Sequence, residues 1–305
     1  ILVTGGLGYI GSHTVVELLN NNFEVVIIDD LSNTEKFILK NIEEITGKKP
    51  IFYPFDLKRK ELLKQVFDAH KIEGCIHFAA YKAVGESQEK PIDYYENNLF
   101  SLINLLQEMK ERNISNFIFS SSCTVYGQAD TMPIDENTPL KLPESSYGKT
   151  KQMGEEILKD FATAHQKKVT LLRYFNPIGA HPSAKLGELP IGIPNNLVPY
   201  VMQTAAGVRE KLSVWGNDYP TEDGTAIRDY IYVVDLAKAH VKALQKLISE
   251  NSETLVDIYN LGTGKGSSVL EVVHAFEKAN DVAVPYQICE RRAGDITIAY
   301  ANADK

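Results

Sequence analysis

The sequence predicts an α/β fold, in which a doubly wound parallel sheet with helices on both faces is joined to a smaller C-terminal α/β lobe. Two observations predict it. The first half of the chain alternates short apolar runs with helical stretches, as buried parallel strands and their crossover helices do. A glycine-rich turn, Thr4–Gly11, follows the first apolar run and opens a helical stretch, which is typical of a dinucleotide-binding unit. The main domain is therefore predicted to be Rossmann-like.

The elements of this domain can be assigned in order along the chain. Short apolar runs of strand length are Ile1–Val3, Glu24–Ile28, Ile51–Tyr53, Gly74–Phe78, Asn116–Ser120 and Val169–Arg173. Helical periodicity between them predicts helices near Ile10–Asn20, Lys58–His70, Ile92–Arg112 and Tyr147–His165.

After Asn176 the chain becomes rich in Gly, Pro and Asn, which predicts loops and a second lobe. Its short elements are predicted at Asn195–Gly207 and Lys211–Trp215. A strand at Asp229–Val233, a helix at Asp235–Ile248 and a strand at Ile258–Gly262 are interpreted as a return to the first domain. We therefore predict a first domain of residues 1–176 and 228–262, and a lobe of residues 177–227 and 263–305.

Composition excludes several classes of protein. The 305 residues carry a net charge of −8 and no basic stripe, which argues against nucleic acid as a partner. No apolar run approaches the roughly 20 residues of a membrane span. The three cysteines, Cys75, Cys123 and Cys289, are isolated, which fits a reducing cytoplasm, and no His or Cys spacing indicates a metal site. Because the chain begins without Met inside a strand, we expect it to be trimmed at both ends.

The glycine-rich turn predicts a site for a dinucleotide. Gly6, Gly8 and Gly11 let the backbone turn sharply and approach a pyrophosphate, and the helix N-terminus offers free N–H groups. The second predicted strand ends in Asp29, an acid that can accept hydrogen bonds from both adenosine ribose hydroxyls and would repel a 2′-phosphate. No Arg or Lys occurs before Lys36, so NAD is favoured over NADP.

Two further turns of the sheet are consistent with this cofactor. Asp56, after the third strand, has a carboxylate that could bond the adenine amino group. Ala79 and Ala80, after the fourth strand, are small enough for a dinucleotide to lie across the sheet edge. All three are equally ordinary as turn residues.

Tyr147 and Lys151 stand one helical turn apart and can form a base. One Tyr and Lys at this spacing is expected by chance in a chain of this composition. The pair therefore indicates a catalytic base only in combination with the other parts of the site. An unperturbed tyrosine has a pKa near 10, and a shift of about three units needs roughly 4 kcal/mol. A positive charge at about 4 Å supplies about that much at an effective dielectric near 20. Ser122, at the end of a predicted strand, can orient the reacting oxygen, or it satisfies local backbone groups.

Longer strings carry a resemblance to a known family. In their order along the chain, the motifs Thr4–Gly11, Ser122, Tyr147 and Lys151 resemble the extended short-chain dehydrogenase/reductase superfamily. Within it, the whole chain resembles the UDP-glucose 4-epimerase (UDP-galactose 4-epimerase) family. The strings that carry this resemblance are Lys82–Ser87, Phe119–Gly127, Arg173–Pro182, Ile193–Leu197 and Gly216–Thr225.

The resemblance implies an isomerase of galactose metabolism with an oxidation and a reduction at its core. Tyr147 takes the proton from the sugar 4-hydroxyl as hydride passes to tightly bound NAD⁺, the 4-keto sugar turns over, and hydride returns to the other face. Ser122 bonds the reacting oxygen, and Lys151 also holds the nicotinamide ribose. The family usually forms homodimers through two helices per subunit, here those near Ile92–Arg112 and Tyr147–His165. The first domain would bind NAD and the lobe a UDP-sugar.

The family's binding residues carry over by position. The residues implied for NAD are Gly5, Gly8, Tyr9, Ile10, Gly11, Asp29, Asp30, Asn33, Asp56, Leu57, Phe78, Ala79, Ala80, Lys82, Asn97, Ser122, Tyr147, Lys151 and Phe175. Those implied for the UDP-sugar are Ser122, Tyr147, Asn176, Asn196, Leu197, Ser213, Trp215, Arg228, Arg292, Asp295 and Ala299.

Three of the substrate residues have their own chemistry. Arg228 and Arg292 can clamp a pyrophosphate, and Trp215 offers a flat face for uracil. Alternatively, Trp215 packs in a core, and Arg228 forms an ion pair with Asp229. Ala299 stands where a bulky residue in this family excludes N-acetylated sugars, so UDP-N-acetylhexosamines are expected as further substrates.

Three other functions compete with this interpretation. A nucleotide-sugar 4,6-dehydratase needs an added acid and base, which that family places at the positions of Cys123 and Thr124, and neither residue here can act as one. A 4-epimerase of a UDP-uronate or UDP-pentose is closer and stays open. An NAD-binding regulator without catalysis is the alternative from another class, against which the intact Ser122, Tyr147 and Lys151 argue.

Overall fold

A computed structural model describes residues 1–249, 254–292 and 295–305. Its strands are β1 (Leu2–Thr4), β2 (Val26–Ile28), β3 (Ile51–Tyr53), β4 (Gly74–His77), β5 (Asn116–Ser120), β6 (Lys168–Tyr174), β7 (Asn176–Ile178), β8 (Leu212–Trp215), β9 (Ile227–Tyr232), β10 (Val256–Leu261), β11 (Gly266–Ser268), β12 (Tyr286–Cys289) and β13 (Ile298–Ala299). Its helices are α1 (Tyr9–Asn20), α2 (Phe37–Thr46), α3 (Lys60–Ala69), α4 (Val84–Glu89), α5 (Pro91–Tyr95), α6 (Ser101–Glu111), α7 (Ser146–His165), α8 (Leu197–Ala205), α9 (Val233–Ser249) and α10 (Val269–Asn280). Among the described residues, no helix is long and apolar enough to cross a membrane.

Seven parallel strands form the main sheet, in the order β10-β6-β5-β4-β1-β2-β3. In register, Leu2 of β1 lies between Val26 of β2 and Cys75 of β4. Strand order reverses at β1, so the loops after β1 and β4 diverge and leave a crevice at the carboxyl ends of the strands. The predicted doubly wound, Rossmann-like fold is confirmed.

Apolar side chains cover both faces of this sheet and explain why its strands are almost uniformly hydrophobic. On one face, α3, α6 and α7 contribute Leu63, Leu102 and Leu158 to a buried cluster. On the other face, α1, α2 and α9 contribute Val15, Ile42 and Leu244. The sheet therefore forms a rigid base for the loops at its carboxyl edge.

Smaller sheets form beyond that edge. Strand β9 pairs with β7 and β13 in parallel and with β11 in antiparallel orientation, and β12 pairs with β8. The strand predicted at Asp229–Val233 as a return to the first domain is therefore part of a small sheet, and that prediction was wrong. The return begins with α9, which packs on the large sheet, and continues with β10, which is a strand of it. The reason is local, because Asp229 is buried and accepts hydrogen bonds from the backbone of Thr263, Gly264 and Ala301.

The stretch predicted as one helix, Ile92–Arg112, is divided by a π-helical segment at Glu96–Phe100. The wider turn accompanies a buried Asn98, which bonds the backbone of Tyr81 and donates to the Thr150 hydroxyl at 2.9 Å. Such segments are frequent at functional sites. Helices α2, α4 and α10 were not predicted from the sequence. A local signal exists for α10, because Ser268 and Glu271 form a capping box at its start.

Candidate active site

One cavity of about 1060 Å³ opens at the carboxyl edge of the main sheet and extends to the small sheets. Every residue that the resemblance implies for NAD or the UDP-sugar lines it, whereas Gly6 of the glycine-rich turn does not. The glycine-rich turn and Asp29 lie in one part of its wall, Arg228 and Ala299 come from strands β9 and β13 of a small sheet, and Arg292 follows β12. The structure therefore brings the residues implied for both ligands into one continuous space.

The glycines of the first turn leave room that larger side chains would fill. Gly5 has a φ of +67°, and a Cβ there would lie 2.7 Å from the Ala79 backbone nitrogen. A Cβ on Gly11 would lie 2.1 Å from the Gly5 carbonyl oxygen. Because α1 begins at Tyr9, its free N–H groups open onto this turn. A pyrophosphate fits such a cradle.

Asp29 is held beside the turn by two backbone donors. Leu7 N–H donates to Oδ2 and Leu31 N–H donates to Oδ1, each at 3.0 Å. Burial raises the pKa of Asp29, and these two hydrogen bonds oppose the rise. Each carboxylate oxygen retains a second lone pair, so Asp29 can still accept hydrogen bonds from two ribose hydroxyls. The residues present therefore fit an NAD dinucleotide.

Asp56 shows the ordinary turn role that the sequence allowed. Its Oδ1 accepts the Lys58 backbone N–H at 2.8 Å, and its Oδ2 lies 3.5 Å from the Lys58 ammonium. The carboxylate also faces the cavity. Its contact with adenine stays a prediction.

Tyr147 and Lys151 lie on the first turns of α7, which begins after the capping residue Ser145. Ser145 Oγ accepts the Gly148 N–H at 3.1 Å and fixes the start of the helix. The Lys151 ammonium lies 5.9 Å from the centre of the Tyr147 ring and donates to the Ser120 carbonyl at 2.7 Å. Both side chains are buried, so neither belongs to a solvated helix face.

The Tyr147 pKa was expected to be lowered, but the groups of the protein raise it. Burial raises the pKa of Tyr147, the nearby Tyr174 adds to the rise, and only a hydrogen bond with Ser122 opposes it. Burial lowers the pKa of Lys151 to about 8, although the negative charge of Glu155 acts to raise it. Attraction between the two charges alone does not set these pKa values, because desolvation is the largest contribution for both groups.

Ser122 caps the 3₁₀ turn Cys123–Tyr126 that follows β5. Its Oγ accepts the Thr124 N–H at 3.2 Å and the Thr124 hydroxyl at 3.0 Å. These bonds meet the local backbone role that the sequence allowed, and they also fix the hydroxyl beside Tyr147. A hydroxyl held in this way can donate its own proton to a sugar oxygen.

The substrate side of the cavity is lined by a half-exposed cation and an exposed aromatic ring. The Arg292 guanidinium lies 5.8 Å from the centre of the Trp215 ring and is bonded to Asp295 at 3.0 Å. Trp215 is 41% exposed and is therefore not a core residue. Arg228 donates to the Ile227 carbonyl at 2.8 Å, whereas the adjacent Asp229 accepts backbone donors.

Glu188 and Tyr174 also line the cavity, and neither was predicted from the sequence. The Glu188 carboxylate accepts hydrogen bonds from Lys82 at 3.2 Å and from Asn196 at 2.5 Å, which are residues predicted for different ligands. Tyr174 OH lies 2.7 Å from Ser120 Oγ, and Tyr174 contributes to the raised pKa of Tyr147. No local signal marks either residue, because a glutamate in a loop and a tyrosine at a strand end are common.

A dinucleotide turn, a capped Ser, and a Tyr/Lys pair on one helix define a short-chain dehydrogenase/reductase site at the edge of a Rossmann-like sheet. Residues 1–262 match the NAD dependent epimerase/dehydratase family, and the chain belongs to that family. Among the similar proteins is the UDP-glucose 4-epimerase of Bacillus subtilis (strain 168), 54% identical over 306 residues that cover 100% of this chain and 89% of the relative.

Two solved structures are close in fold. The UDP-glucose 4-epimerase from Bifidobacterium longum, in complex with NAD⁺ and UDP, is 49% identical with a TM-score of 0.96 and covers 100% of this chain and 90% of its own. The enzyme from Stenotrophomonas maltophila, with bound NAD and formylated UDP-arabinopyranose, is 46% identical with a TM-score of 0.94 and covers 99% and 89%.

Proposed function

We propose that this chain interconverts UDP-glucose and UDP-galactose by reversible 4-epimerisation with a bound NAD. The observation that carries the proposal is the position of Tyr147, Lys151 and Ser122 in one cavity with both the dinucleotide turn and Arg228. A base, its adjacent cation and a hydroxyl donor thereby meet a dinucleotide site on one side and a pyrophosphate site on the other. The 4-carbon of a UDP-sugar is the centre that such a site would serve.

The cofactor is held by the first domain. The glycine turn would accept its pyrophosphate, and the Asp29 carboxylate would accept hydrogen bonds from its adenosine ribose. When bound, NAD⁺ supplies a hydride acceptor and donor for the sugar C4 and a positive ring that favours a tyrosinate. Lys151 adds a second positive charge 5.9 Å from the Tyr147 ring.

The proton at the sugar 4-oxygen is handled by Tyr147. The tyrosinate accepts the proton of the 4-hydroxyl when C4 is oxidised, and Tyr147 returns it when C4 is reduced. Ser122, fixed by Thr124, donates a hydrogen bond to the same oxygen and holds it beside the tyrosine. Tyr147 and Ser122 are both buried, so water is excluded from the reacting atoms and the 4-keto sugar is protected from side reactions.

The nucleotide part of the substrate is held by the lobe. Arg228 and Arg292 present guanidinium groups that suit a pyrophosphate, and the exposed face of Trp215 suits the uracil ring. An anchor at the UDP end lets the sugar turn over while the nucleotide stays fixed. After this rotation, the 4-keto sugar presents the other face of its C4 carbonyl for reduction.

The pocket for the sugar 2-substituent includes Ala299, a small residue on β13 beside Arg228. Ala299 belongs to a buried cluster with Phe175 and Val125, and its small side chain lines the cavity. UDP-N-acetylglucosamine and UDP-N-acetylgalactosamine are therefore proposed as a second substrate pair.

We further propose a homodimer, a cytoplasmic location, and the two-domain division given above, except that β9 (Ile227–Tyr232) is assigned to the lobe because it pairs with β7, β11 and β13. The exposed apolar side chains of α5–α7 support a helix bundle between two copies: Ile92, Phe100, Ile103 and Met153 are all exposed. The three cysteines are free, as in a reducing compartment. Sedimentation of the purified protein tests the dimer.

The proposed activity is tested by incubating the purified, NAD-loaded protein with UDP-galactose and no added electron acceptor. Chromatography should resolve UDP-glucose and UDP-galactose in an equilibrium mixture, with no net reduced cofactor in solution. A Tyr147→Phe variant, which keeps the ring and loses the base, is the matched control and should be inactive. An NAD-loaded wild-type protein that leaves UDP-galactose unchanged would refute the assignment.

A further inference from the structure

A buried ion pair lies beneath the proposed catalytic residues. Glu155 on α7 is 0% exposed and Arg173 on β6 is 2% exposed. Arg173 Nε donates to Glu155 Oε1 at 2.9 Å and Arg173 Nη2 donates to Oε2 at 2.5 Å, so the pair is bidentate. Taking two charges out of water is costly and is often not repaid by the pair itself. A fully buried pair beside an active site therefore calls for a functional explanation.

The ion pair also contacts the segment Ser120–Ser122, which we call the serine loop. Ser121 Oγ donates to Glu155 Oε1 at 2.6 Å, and Ser121 is the residue before Ser122. Through the Ser121 side chain, Glu155 is therefore bonded to the segment that carries the Ser122 hydroxyl. The same segment also supplies the Ser120 carbonyl that receives the Lys151 ammonium.

On its other side, the ion pair is fixed by a chain of polar contacts. Arg173 Nη1 donates to Tyr126 OH at 3.0 Å, Tyr126 OH donates to Asn260 Oδ1 at 2.7 Å, and Asn260 Nδ2 donates to the Ile134 carbonyl at 2.9 Å. The chain joins β6, the 3₁₀ turn and β10. A buried network that is fully satisfied in this way is rigid.

Glu155 also lies one helical turn after Lys151. The other titratable groups that contact or act on Lys151 are Tyr147 on the same helix and His77 on β4. Tyr174 on β6 contacts Ser120, whose carbonyl accepts the Lys151 hydrogen bond, and Arg173 on β6 is paired with Glu155. His77 is neutral near pH 7 because burial lowers its pKa to about 3. Tyr174 is neutral because burial raises its pKa to about 12. Glu155 is therefore the negative charge that faces the Lys151 ammonium from this set, and its effect is to raise the pKa of Lys151.

We propose that Glu155 is a positioning residue of the proposed epimerase, which fixes the Ser120–Ser122 segment through Ser121 and balances the positive charge of Lys151. Arg173 holds the carboxylate in place for both tasks. The inference rests on the proposed function for its catalytic consequence, whereas its effect on the charge of Lys151 can be measured without turnover.

The charge effect is tested by titrating Lys151 in protein with ¹³C-labelled lysine side chains, its NMR signal being assigned by its loss in Lys151→Met. In Glu155→Gln, the Lys151 titration should move to lower pH by about one unit or more, because an adjacent opposite charge is lost. Glu108→Gln is the matched control, since Glu108 is also buried and paired with an arginine, Arg112, but lies on α6. An unchanged Lys151 titration in Glu155→Gln would overturn the proposal.

The positioning effect is tested by Ser121→Ala, which keeps both charges and removes only the bond to the serine loop. We expect kcat for UDP-galactose to fall by about tenfold or more, because a hydrogen bond that orients a site residue is lost, with KM little changed and the Lys151 titration as in wild type. A kcat equal to that of wild type would overturn this part. The variant also keeps the test decisive if Glu155→Gln does not fold. An inactive wild-type protein would refute the proposed function instead, and the Lys151 titration would still decide the role of Glu155.

Discussion

The ammonium nitrogen of Lys151 lies 5.9 Å from the centre of the Tyr147 ring, and both side chains are buried in the wall of one cavity. The four-residue spacing on α7 places them one turn apart. Burial disfavours the charged form of each group, so the pKa of Tyr147 is raised and the pKa of Lys151 is lowered to about 8. The pair therefore needs the other charges of the site to work as a base.

The pH dependence of activity should report Lys151. Its ammonium is present below its pKa of about 8 and is lost as the pH rises through that value, so kcat/KM should decline on the alkaline side. Lys151→Met should lack this limb and lose activity by about 10²-fold or more. Rates measured between pH 6 and pH 10 check both outcomes. A wild-type profile that stays flat up to pH 10 would contradict the role given to Lys151.

Asp29 should decide how tightly NAD is held. Asp29→Ala removes an acceptor that can bond two ribose hydroxyls, and each lost hydrogen bond to a charged group costs about 1.5–3 kcal/mol. NAD affinity is therefore expected to fall by about tenfold or more, as measured by calorimetry. Glu43→Ala, an exposed acid on α2, is the control and should bind NAD as wild type does. Equal affinity in Asp29→Ala would show that the ribose is held elsewhere.

Ala299 should decide whether N-acetylated sugars are accepted. In Ala299→Tyr, the buried site has no room for both the ring and an acetamido group, and overpacking costs about 1–3 kcal/mol. The kcat/KM for UDP-N-acetylgalactosamine should fall by about tenfold or more, and that for UDP-galactose should change little. The two substrates serve as controls for each other. If both rates fall together, Ala299 does not set this specificity.

Acid stability should depend on His77. Thr4 Oγ1 lies 2.7 Å from its Nδ1, and burial, with the charge of Lys151, lowers its pKa from 6.5 to about 3. Between these values the unfolded chain binds the proton and the folded chain does not. The free energy of unfolding should therefore fall as the pH falls through this window, by at most about 1.4 kcal/mol per unit.

Urea unfolding at pH 7 and at pH 4.5 measures this loss. His77→Gln can keep a hydrogen bond to Thr4 and should lose less stability between the two pH values than wild type. The control is His274→Gln, which changes an exposed histidine and should lose as much as wild type. An equal loss in His77→Gln would place the acid sensitivity in other groups.

What the sequence predicted well is local in origin. The glycine turn is specified by consecutive residues and Asp29 by its place at a strand end, so both could be assigned without coordinates. Glu188 could not, because its importance comes from Lys82 and Asn196, which are distant in sequence. The Tyr147 pKa was misjudged for the same reason, since desolvation depends on residues brought together only by the fold.

Oxidation and reduction at C4 within one enzyme-bound cycle is tested most directly by following the hydrogen on C4. UDP-galactose carrying deuterium at C4 is converted in ordinary water, and the UDP-glucose formed is analysed by mass spectrometry and NMR. If C4 is oxidised and reduced within one enzyme-bound cycle, the deuterium should remain on C4 of the product. Loss of the deuterium to water, with epimerisation intact, would contradict the account, because C4 would then be inverted by proton exchange.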